Sequence, residues 1–258
     1  MPHRPYVKQV AGARTAVLMV HGILGSPRHF DMLLPYIPAD WSVYNIVLDG
    51  HGATARDFAR TGRKKWERQV EGEVARVCER YERVVVVAHS MGCMLTANAI
   101  VKLGLEKKIA AMFFLGVALR PMCTLPIIKT SVRMAFCKPD PDNPCEMAGR
   151  RLCGTTLHRR VWEYLAWIPR FADLFALAAY TRRRVPHYDL PMTVLQSYRD
   201  EVVGRASIKP FQKKPRAHAE FLPDSSHFYY APADVRRICI VFNQVLARVQ
   251  KETKIAVR

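Results

Sequence analysis

The segment VVVVAHSMG, residues 84–92, decides how the rest of the chain is interpreted. Its four valines, followed by Ala88, are typical of a short strand buried in a parallel sheet. Residues 91–103 then combine good helix formers with apolar side chains at helical spacing. A strand that turns directly into a helix leaves little room at the turn, so the flanking residues must be small. We predict that Ser90 lies at the apex with its hydroxyl directed outward.

This turn also matches the G-x-S-x-G pattern of a nucleophilic serine held between a strand and a helix, with Ala88 in place of the first glycine. Alanine is small enough for that position. An S-x-G triplet alone is common, and an ordinary strand-to-helix turn of another α/β protein is the competing interpretation. A valine-rich strand, an S-x-G and a helix in that order are much rarer, and they make Ser90 the candidate nucleophile.

Length and charge limit the possible classes of protein. A chain of 258 residues suits one domain with an insertion, and the apolar half of its composition argues against disorder. The formal net charge of +18 attracts nucleic acids, anionic lipids or acidic substrates. The basic residues are spread along the chain, however, and no nucleic-acid-binding motif accompanies them. We expect no nucleic-acid partner, and peripheral contact with an anionic lipid surface remains open.

Cysteines and apolar runs indicate the compartment. The seven cysteines include no C-x-x-C pair, and no histidine or carboxylate set completes a zinc site around Cys137, Cys145 and Cys153. We therefore expect reduced thiols, as in the cytosol, and neither a metal nor a cofactor. The longest apolar run, residues 109–119, is too short to span a bilayer. Residues 17–20 are too few for a signal peptide, so we predict a cytoplasmic protein.

The first half of the chain alternates between predicted strands and helices. Strands are predicted at residues 15–20, 41–48, 84–88 and 109–119. The helix predicted after the first strand has Ser26 as its cap, Pro27 at its first position and the apolar stripe Phe30, Leu33, Leu34 and Ile37. Another helix, over residues 66–81, precedes the valine strand. This order predicts a mostly parallel sheet covered by helices on both faces.

The alternation stops at residues 120–188, where seven prolines interrupt the sequence and no strand is predicted. Residues 161–168 and 171–180 are predicted to form short helices rich in aromatic side chains. We predict a helical cap at residues 120–188 that lines an apolar pocket, inserted into a core made of residues 1–119 and 189–258. The competing interpretation is that these aromatic side chains only pack the insertion onto the core.

Each strand predicted after the insertion ends in a candidate catalytic loop. Residues 192–197 are followed by Asp200, and residues 217–222 are followed by His227; a closing helix begins at about Asp234. The carboxyl ends of parallel strands meet at one edge of a sheet, which also holds Ser90. A serine hydroxyl needs a base such as histidine, and the histidine needs an acceptor on its other nitrogen.

Other residues compete for both roles. Asp189, Glu201 and Asp224 are the alternatives for the acid. Asp189 precedes its strand, Glu201 should point in another direction, and Asp224 would need the chain to fold back. The alternatives for the base are His21, His51 and His89. The first two belong to turns in which histidine usually bonds to the backbone, and His89 flanks the serine without room to face it. Asp200 and His227 are therefore preferred.

The motifs together resemble the α/β-hydrolase family, nearest to small bacterial carboxylesterases and monoacylglycerol-lipase-like enzymes. In chain order they are HGILGSP, DGHG, AHSMG, a helical segment, RDEVV and SSHF. The resemblance implies Ser90 as nucleophile, Asp200 as orienting acid and His227 as base, in the order that this fold uses. It also implies an oxyanion hole formed by the backbone N–H groups of Ile23 and Met91. Few residues precede the first clear strand, so the N-terminal antiparallel strands of the family are expected to be reduced.

The resemblance implies a serine hydrolase that cleaves carboxylic esters through an acyl-enzyme intermediate. The aromatic insertion suggests a small-molecule substrate with an apolar acyl or alcohol group, such as a monoacylglycerol. Thioester hydrolysis and acyl transfer use the same three residues and stay open as alternatives. The alternative from another class is a ligand-binding protein that kept the scaffold without turnover.

Overall fold

The predicted valine strand is the central strand of a seven-stranded sheet in the computed structural model, which describes residues 3–157 and 160–255. Along the chain the strands are β1 (Tyr6–Lys8), β2 (Thr15–Val20), β3 (Ser42–Ile46), β4 (Ala53–Thr54), β5 (Arg83–His89), β6 (Ile109–Leu115), β7 (Thr155–Thr156), β8 (Met192–Ser197) and β9 (Ala217–Leu222). The order in the sheet is β1-β3-β2-β5-β6-β8-β9. All neighbours run parallel except β1, which pairs antiparallel with β3.

Helices cover both faces of this sheet. The α-helices are α1 (Ala55–Ala59), α2 (Arg63–Arg80), α3 (Met91–Leu103), α4 (Leu125–Phe136), α5 (Pro144–Leu152), α6 (Val161–Leu165), α7 (Ile168–Arg184), α8 (Lys209–Gln212) and α9 (Pro232–Ile255). Short 3₁₀ turns span Pro27–Phe30, Leu34–Tyr36, Glu106–Lys108, Val185–His187 and Arg205–Ser207. Side chains of β5 alternate between two cores: α2, α3 and α7 pack on one face, and α9 packs on the other.

The predicted mostly parallel sheet with helices on both faces is confirmed. Three predicted strands, over residues 15–20, 192–197 and 217–222, and the helix over residues 91–103 have the predicted bounds. The strand predicted at 109–119 is too long: it ends at Leu115, because Gly116 turns the backbone to a φ of +59°. The expected reduction at the N-terminus leaves β1 as a three-residue strand.

The helix predicted from Ser26 is wrong. Two separate 3₁₀ turns occupy this stretch, and the Ser26 side chain makes no cap hydrogen bond. Pro35 lies in the middle of the apolar stripe, where it lacks an N–H group and its ring clashes with the preceding helical turn. Phe30 and Leu33 are nevertheless fully buried, so the stripe correctly predicted which side chains face the core.

Residues 120–188 leave the sheet after β6 and hold α4–α7, of which α4 and α5 were not predicted. The prediction that this stretch contains no strand is wrong at one short element, because β7 pairs in parallel with β4 in a separate two-stranded sheet. The division into a core and a cap stays a prediction, and its residues 1–2, 158–159 and 256–258 lie outside the described parts of the chain. In the described parts of the chain, none of the helices combines the length and the apolar composition that a membrane-spanning helix requires.

Candidate active site

Ser90 lies in a strained and crowded turn between β5 and α3. Its φ of 53° and ψ of −116° are unusual for a residue with a side chain. A Cβ atom at Gly92 would lie 2.2 Å from the carbonyl oxygen of Val20, and one at Gly22 would lie 2.7 Å from the Ser90 Cβ atom. The glycine of the S-x-G pattern is thus required here by the close approach of β2 to the start of α3.

The three candidate catalytic side chains form one hydrogen-bonded line. Ser90 Oγ and His227 Nε2 are 3.0 Å apart, and His227 Nδ1 and Asp200 Oδ2 are 2.8 Å apart. Ser90 and His227 are each only 2% exposed, and Asp200 is 8% exposed. The geometry allows the imidazole to accept the serine proton while Asp200 accepts the Nδ1–H bond, so the described structure brings together the residues that the sequence singled out.

The Asp200 carboxylate is oriented by its own loop. Its Oδ1 atom accepts hydrogen bonds from the backbone N–H groups of Val202 and Val203, at 2.9 and 2.7 Å. Gln196, at the end of β8, donates to Oδ2 at 3.1 Å. Oδ2 therefore accepts hydrogen bonds from both Gln196 and His227, while Oδ1 accepts those of the backbone turn. The sequence did not indicate the part played by Gln196.

The environment of His227 favours its protonated form. Complete burial lowers the pKa of the imidazole, but the charge and hydrogen bond of Asp200, together with the charge of Glu201, outweigh that effect. The net result is a pKa above 6.5. A base of this kind can hold the serine proton while charge develops on the substrate.

The competing acids occupy other places. Glu201 Oε2 accepts a hydrogen bond from the backbone N–H of His227 at 3.2 Å, so it contacts the loop but not the imidazole. Asp189 forms an ion pair with Arg216, and Asp224 forms one with Arg199; in both pairs the carboxylate is largely exposed. Among the four carboxylates considered, Asp200 alone bonds to a His227 ring nitrogen.

The competing histidines bond to the backbone. His21 Nε2 accepts the N–H of Leu48 at 3.1 Å, and His51 Nε2 accepts the N–H of Leu24 at 3.0 Å. Burial is the main cause of the lowered pKa of both rings, and the pKa of His51 falls to about 4. His89 Nε2 lies 3.2 Å from the carbonyl oxygen of His227 and does not face the serine.

Ile23 and Met91, the predicted oxyanion donors, lie on the two loops that meet at Ser90. Met91 is the first residue of α3, where unpaired N–H groups and the helix dipole favour negative charge. Ile23 precedes Leu24, which adopts a φ of 54° and is held by His51. This loop contacts the insertion, since Gly154 N–H donates to the Leu24 carbonyl oxygen at 2.8 Å. The oxyanion role of the two residues stays a prediction.

A histidine that was not predicted from the sequence, His29, packs on His89, the residue before the serine. The His29 ring stacks on His89, with ring centroids 3.6 Å apart, and its Nε2 lies 3.2 Å from the Tyr230 hydroxyl. Burial first, and then the charge of His227, lower the pKa of His29 to about 3. A neutral His29 adds no positive charge next to His227. No motif in the sequence could have indicated this packing. Among the described residues, no cluster of three or more His, Cys, Asp or Glu side chains could hold a metal ion.

Several of the solved structures that are similar to this chain are lipolytic enzymes. One is from the pair of metagenome-derived lipolytic enzymes LipS and LipT; it is 21% identical to this chain with a TM-score of 0.69, and the match covers 97% of this chain and 98% of that chain. A soluble variant of monoglyceride lipase from Saccharomyces cerevisiae gives 13% identity, a TM-score of 0.70 and coverage of 95% and 91%. A monoacylglycerol lipase from Paleococcus ferrophilus is 14% identical to this chain with a TM-score of 0.65, and the match covers 96% of this chain and 99% of that chain. At these identities the likeness shows the fold alone.

Sequence comparison gives a second, independent result. No curated protein sequence matches the chain. The model of the alpha/beta hydrolase family, however, matches residues 17–238, a range that runs from β2 into α9 and includes Ser90, Asp200 and His227. This match agrees with the parallel sheet, the position of the serine turn and the similar solved structures. The chain therefore belongs to the alpha/beta hydrolase family.

Proposed function

We propose that this protein is a serine hydrolase that cleaves carboxylic esters through an acyl-enzyme intermediate. The observation that carries the proposal is the hydrogen-bonded line from Ser90 through His227 to Asp200, at 3.0 and 2.8 Å. The family and the lipolytic enzymes among the similar structures support the same reaction class. A protein that only binds its ligand has no need for all three side chains in this arrangement.

The proposed reaction has two halves. Ser90 Oγ attacks the ester carbonyl carbon while His227 Nε2 takes the hydroxyl proton, and the carbonyl electron pair moves onto oxygen. The N–H groups of Ile23 and Met91 stabilise this oxyanion. When the oxyanion collapses, the bond to the alcohol oxygen breaks and His227 returns the proton to that oxygen. Water then attacks the acyl-serine by the same route, which releases the acid and restores Ser90.

We further propose a small-molecule ester with an apolar acyl chain, of the monoacylglycerol type, as the substrate class. The support is that the similar solved structures include a monoglyceride lipase and a monoacylglycerol lipase, and that the insertion reaches the predicted oxyanion loop through the hydrogen bond from the Gly154 N–H to the Leu24 carbonyl oxygen. Cytoplasmic action is part of the proposal, and it is supported by the seven cysteines, all of which are free. Thioester hydrolysis and acyl transfer on the same residues stay open as alternatives.

The decisive experiment compares wild type with Ser90→Ala on p-nitrophenyl esters and on a fluorophosphonate label. We expect wild type to hydrolyse the esters and to take one covalent label, and Ser90→Ala to lose both. Ser131→Ala changes an exposed serine of α4 and should retain both properties. Ligand binding without hydrolysis or labelling by wild type would refute the proposal in favour of a binding protein.

A chain-length series then defines the substrate. Matched esters and thioesters of increasing acyl length are compared by kcat/KM. A rise with chain length on esters supports the monoacylglycerol-like substrate, whereas higher kcat/KM on thioesters at every length would replace ester hydrolysis by thioester hydrolysis. Product analysis with an added alcohol distinguishes acyl transfer, because a new ester would form in place of the free acid.

A further inference from the structure

The outer surface of α6 and the first half of α7 is apolar. Every exposed position from residue 161 to residue 176 carries an apolar side chain. The large ones define what we call the insertion stripe: Val161, Trp162, Leu165, Ile168, Phe171 and Phe175. Trp162 is 67% exposed, Leu165 61% and Ile168 60%. The other exposed positions in this range are alanines and one proline. A surface helix of a globular protein normally places charged and polar residues there.

The charged residues of the same segment are turned away from this surface and paired. Arg170 forms an ion pair with Asp173 at 3.3 Å, and its guanidinium donates to the Ala59 carbonyl oxygen at 3.1 Å. Glu163 is paired with Arg160 at 3.7 Å, and the Glu163 side chain is only 15% exposed. The segment is therefore inverted relative to an ordinary surface helix, because its charges lie at the flanks and its apolar side chains face outward.

The inner face of the segment is already packed, so the insertion stripe is not a core face that lacks a partner within the fold. Trp167 is 4% exposed, donates from its indole N–H to the Ala55 carbonyl oxygen at 2.9 Å and packs edge-on against Phe58. Leu174 and Leu177 of α7 are buried in the core. A contiguous exposed apolar patch with a packed base marks a surface that binds something outside the chain.

We propose that the insertion stripe docks this protein onto an anionic lipid bilayer. The charge of the insertion indicates which partner binds the stripe. Residues 120–188 contain 12 Lys and Arg and 5 Asp and Glu, a net charge of +7, within a chain whose net charge is +18. Two copies of such a surface repel one another, whereas an anionic leaflet attracts both the charge and the apolar side chains. Helices that lie in the bilayer interface combine aromatic and aliphatic side chains with basic flanks in the same way.

Docking by the stripe would place the candidate active site close to a source of apolar esters. The stripe belongs to the insertion whose β7 pairs with β4 and whose Gly154 contacts the loop after β2, at the edge of the sheet that holds Ser90. This use of the bilayer for substrate supply rests on the proposed function. The docking itself does not, since none of the stripe residues takes part in the reaction.

The experiment uses Trp162 as its own reporter. Of the four tryptophans, Trp41, Trp66 and Trp167 are at most 4% exposed, so a change of emission on contact with lipid reports Trp162. The full-length protein is titrated with vesicles of phosphatidylcholine alone and with about 30 mol% phosphatidylglycerol. We expect a blue shift and co-sedimentation with the anionic vesicles, weakened by salt as charge is screened.

Two variants test the surface. Leu165→Ser combined with Ile168→Ser keeps the reporter and should weaken partitioning by about tenfold or more, because each side chain contributes transfer free energy. Ile240→Ser removes an apolar side chain of similar exposure (53%) from α9 and should leave partitioning unchanged. Thermal midpoints and far-UV circular dichroism of both variants establish that they are folded.

The outcomes separate docking from catalysis. Ser90→Ala should bind vesicles as wild type does, so failure of the proposed hydrolase activity and failure of docking are seen independently. Absence of vesicle binding, or binding that the double variant retains in full, would overturn the proposal. A dimer that forms without lipid and is lost in the double variant would assign the insertion stripe to a second copy of the chain and would equally overturn it.

Discussion

The carboxyl edge of the sheet and the insertion stripe place polar and apolar side chains in opposite ways. At the edge, Ser90, Asp200 and His227 are polar, almost fully buried and hydrogen-bonded to one another. On the stripe, the side chains are apolar and exposed. Burying polar side chains at the edge costs free energy unless they are hydrogen-bonded, and exposing large apolar side chains on the stripe to water is also unfavourable. Each arrangement therefore calls for a functional explanation. Under the two proposals, the edge serves the chemistry and the stripe serves contact with lipid.

The last helix shows that this difference is local. In α9 the exposed positions include Arg236, Arg237, Gln244 and Arg248, as expected for an amphipathic surface helix, and among its described side chains Ile240 is the one large apolar residue that is exposed. Both helical surfaces belong to the same basic chain, so composition alone does not explain the stripe. The two regions should differ in their response to substitution: changes at the edge should affect the hydrolysis of a water-soluble ester or the stability of the fold, and changes on the stripe should affect neither.

Among the substitutions that keep Ser90, the largest effect is expected from Asp200→Asn. Asparagine keeps the size of the side chain but removes the charge that orients and stabilises the His227 imidazolium, so kcat should fall by about 10³–10⁴-fold on a water-soluble ester. Asp224→Asn changes an exposed carboxylate paired with Arg199 and is the matched control, with an expected change of less than about threefold. Steady-state kinetics with p-nitrophenyl butyrate measure both.

The same assay tests the contrast between the two regions. Leu165→Ser should keep nearly full activity on the water-soluble ester, because that side chain is 61% exposed and faces away from the core. If Leu165→Ser lowered kcat as strongly as Asp200→Asn does, the stripe would be part of the catalytic apparatus. The separation of chemistry from contact would then be wrong.

An intermediate effect, on stability, is expected from Gly92→Ala. The added Cβ atom would lie 2.2 Å from the Val20 carbonyl oxygen, which belongs to the backbone of β2 and cannot move alone. Overpacking of this kind typically costs about 1–3 kcal/mol of unfolding free energy. Gly72→Ala is the control: it lies in α2 with nothing within 4 Å of the new atom, and it should stabilise by roughly 0.5–1 kcal/mol. Urea unfolding followed by circular dichroism measures both, and equal midpoints would show that the serine turn is not tight.

The fold and the candidate site were largely predictable from sequence because their signals are local. The valine run, the S-x-G turn and the positions of Asp200 and His227 after two strands each depend on a few neighbouring residues. The helix predicted from Ser26 is wrong because that prediction also used only a local signal, the spacing of the apolar residues between 30 and 37. That spacing does not take account of Pro35, which lies among them and interrupts an α-helix.

What sequence could not provide depends on contacts between distant segments. Three contacts of this kind form only once the chain is folded. They are the hydrogen bond from Gln196 to Asp200, the stacking of His29 on His89, and the hydrogen bond from the Leu24 N–H to His51. The insertion stripe was hidden differently: the aromatic content of residues 161–180 was evident, but the register that turns Trp167 inward and Trp162 outward follows from packing on α1. Aromatic side chains predicted to line a pocket are thus partly surface residues.

The smallest effect, and the most diagnostic for the edge, is expected from Glu201→Gln. Glutamine keeps an oxygen that can accept the His227 N–H bond but removes one of the two carboxylate charges that raise the pKa of His227. His227 must be neutral to accept the serine proton, so activity is lost as pH falls through this pKa. Removing the charge lowers the pKa, which moves the acid limb of kcat/KM to lower pH and leaves the rate at alkaline pH nearly unchanged.

A pH–rate profile with a water-soluble ester measures this shift. Glu220→Gln is the control, because Glu220 lies on β9, where it pairs with Arg237 and His218 and not with the catalytic loop. The sign of the shift is the critical result. A move to higher pH, or a loss of rate at every pH, would mean that Glu201 acts by holding the loop and not by its charge. The predicted move to lower pH would show that the pKa of His227 is raised by Glu201 as well as by Asp200, although of these two carboxylates only Asp200 bonds to the imidazole.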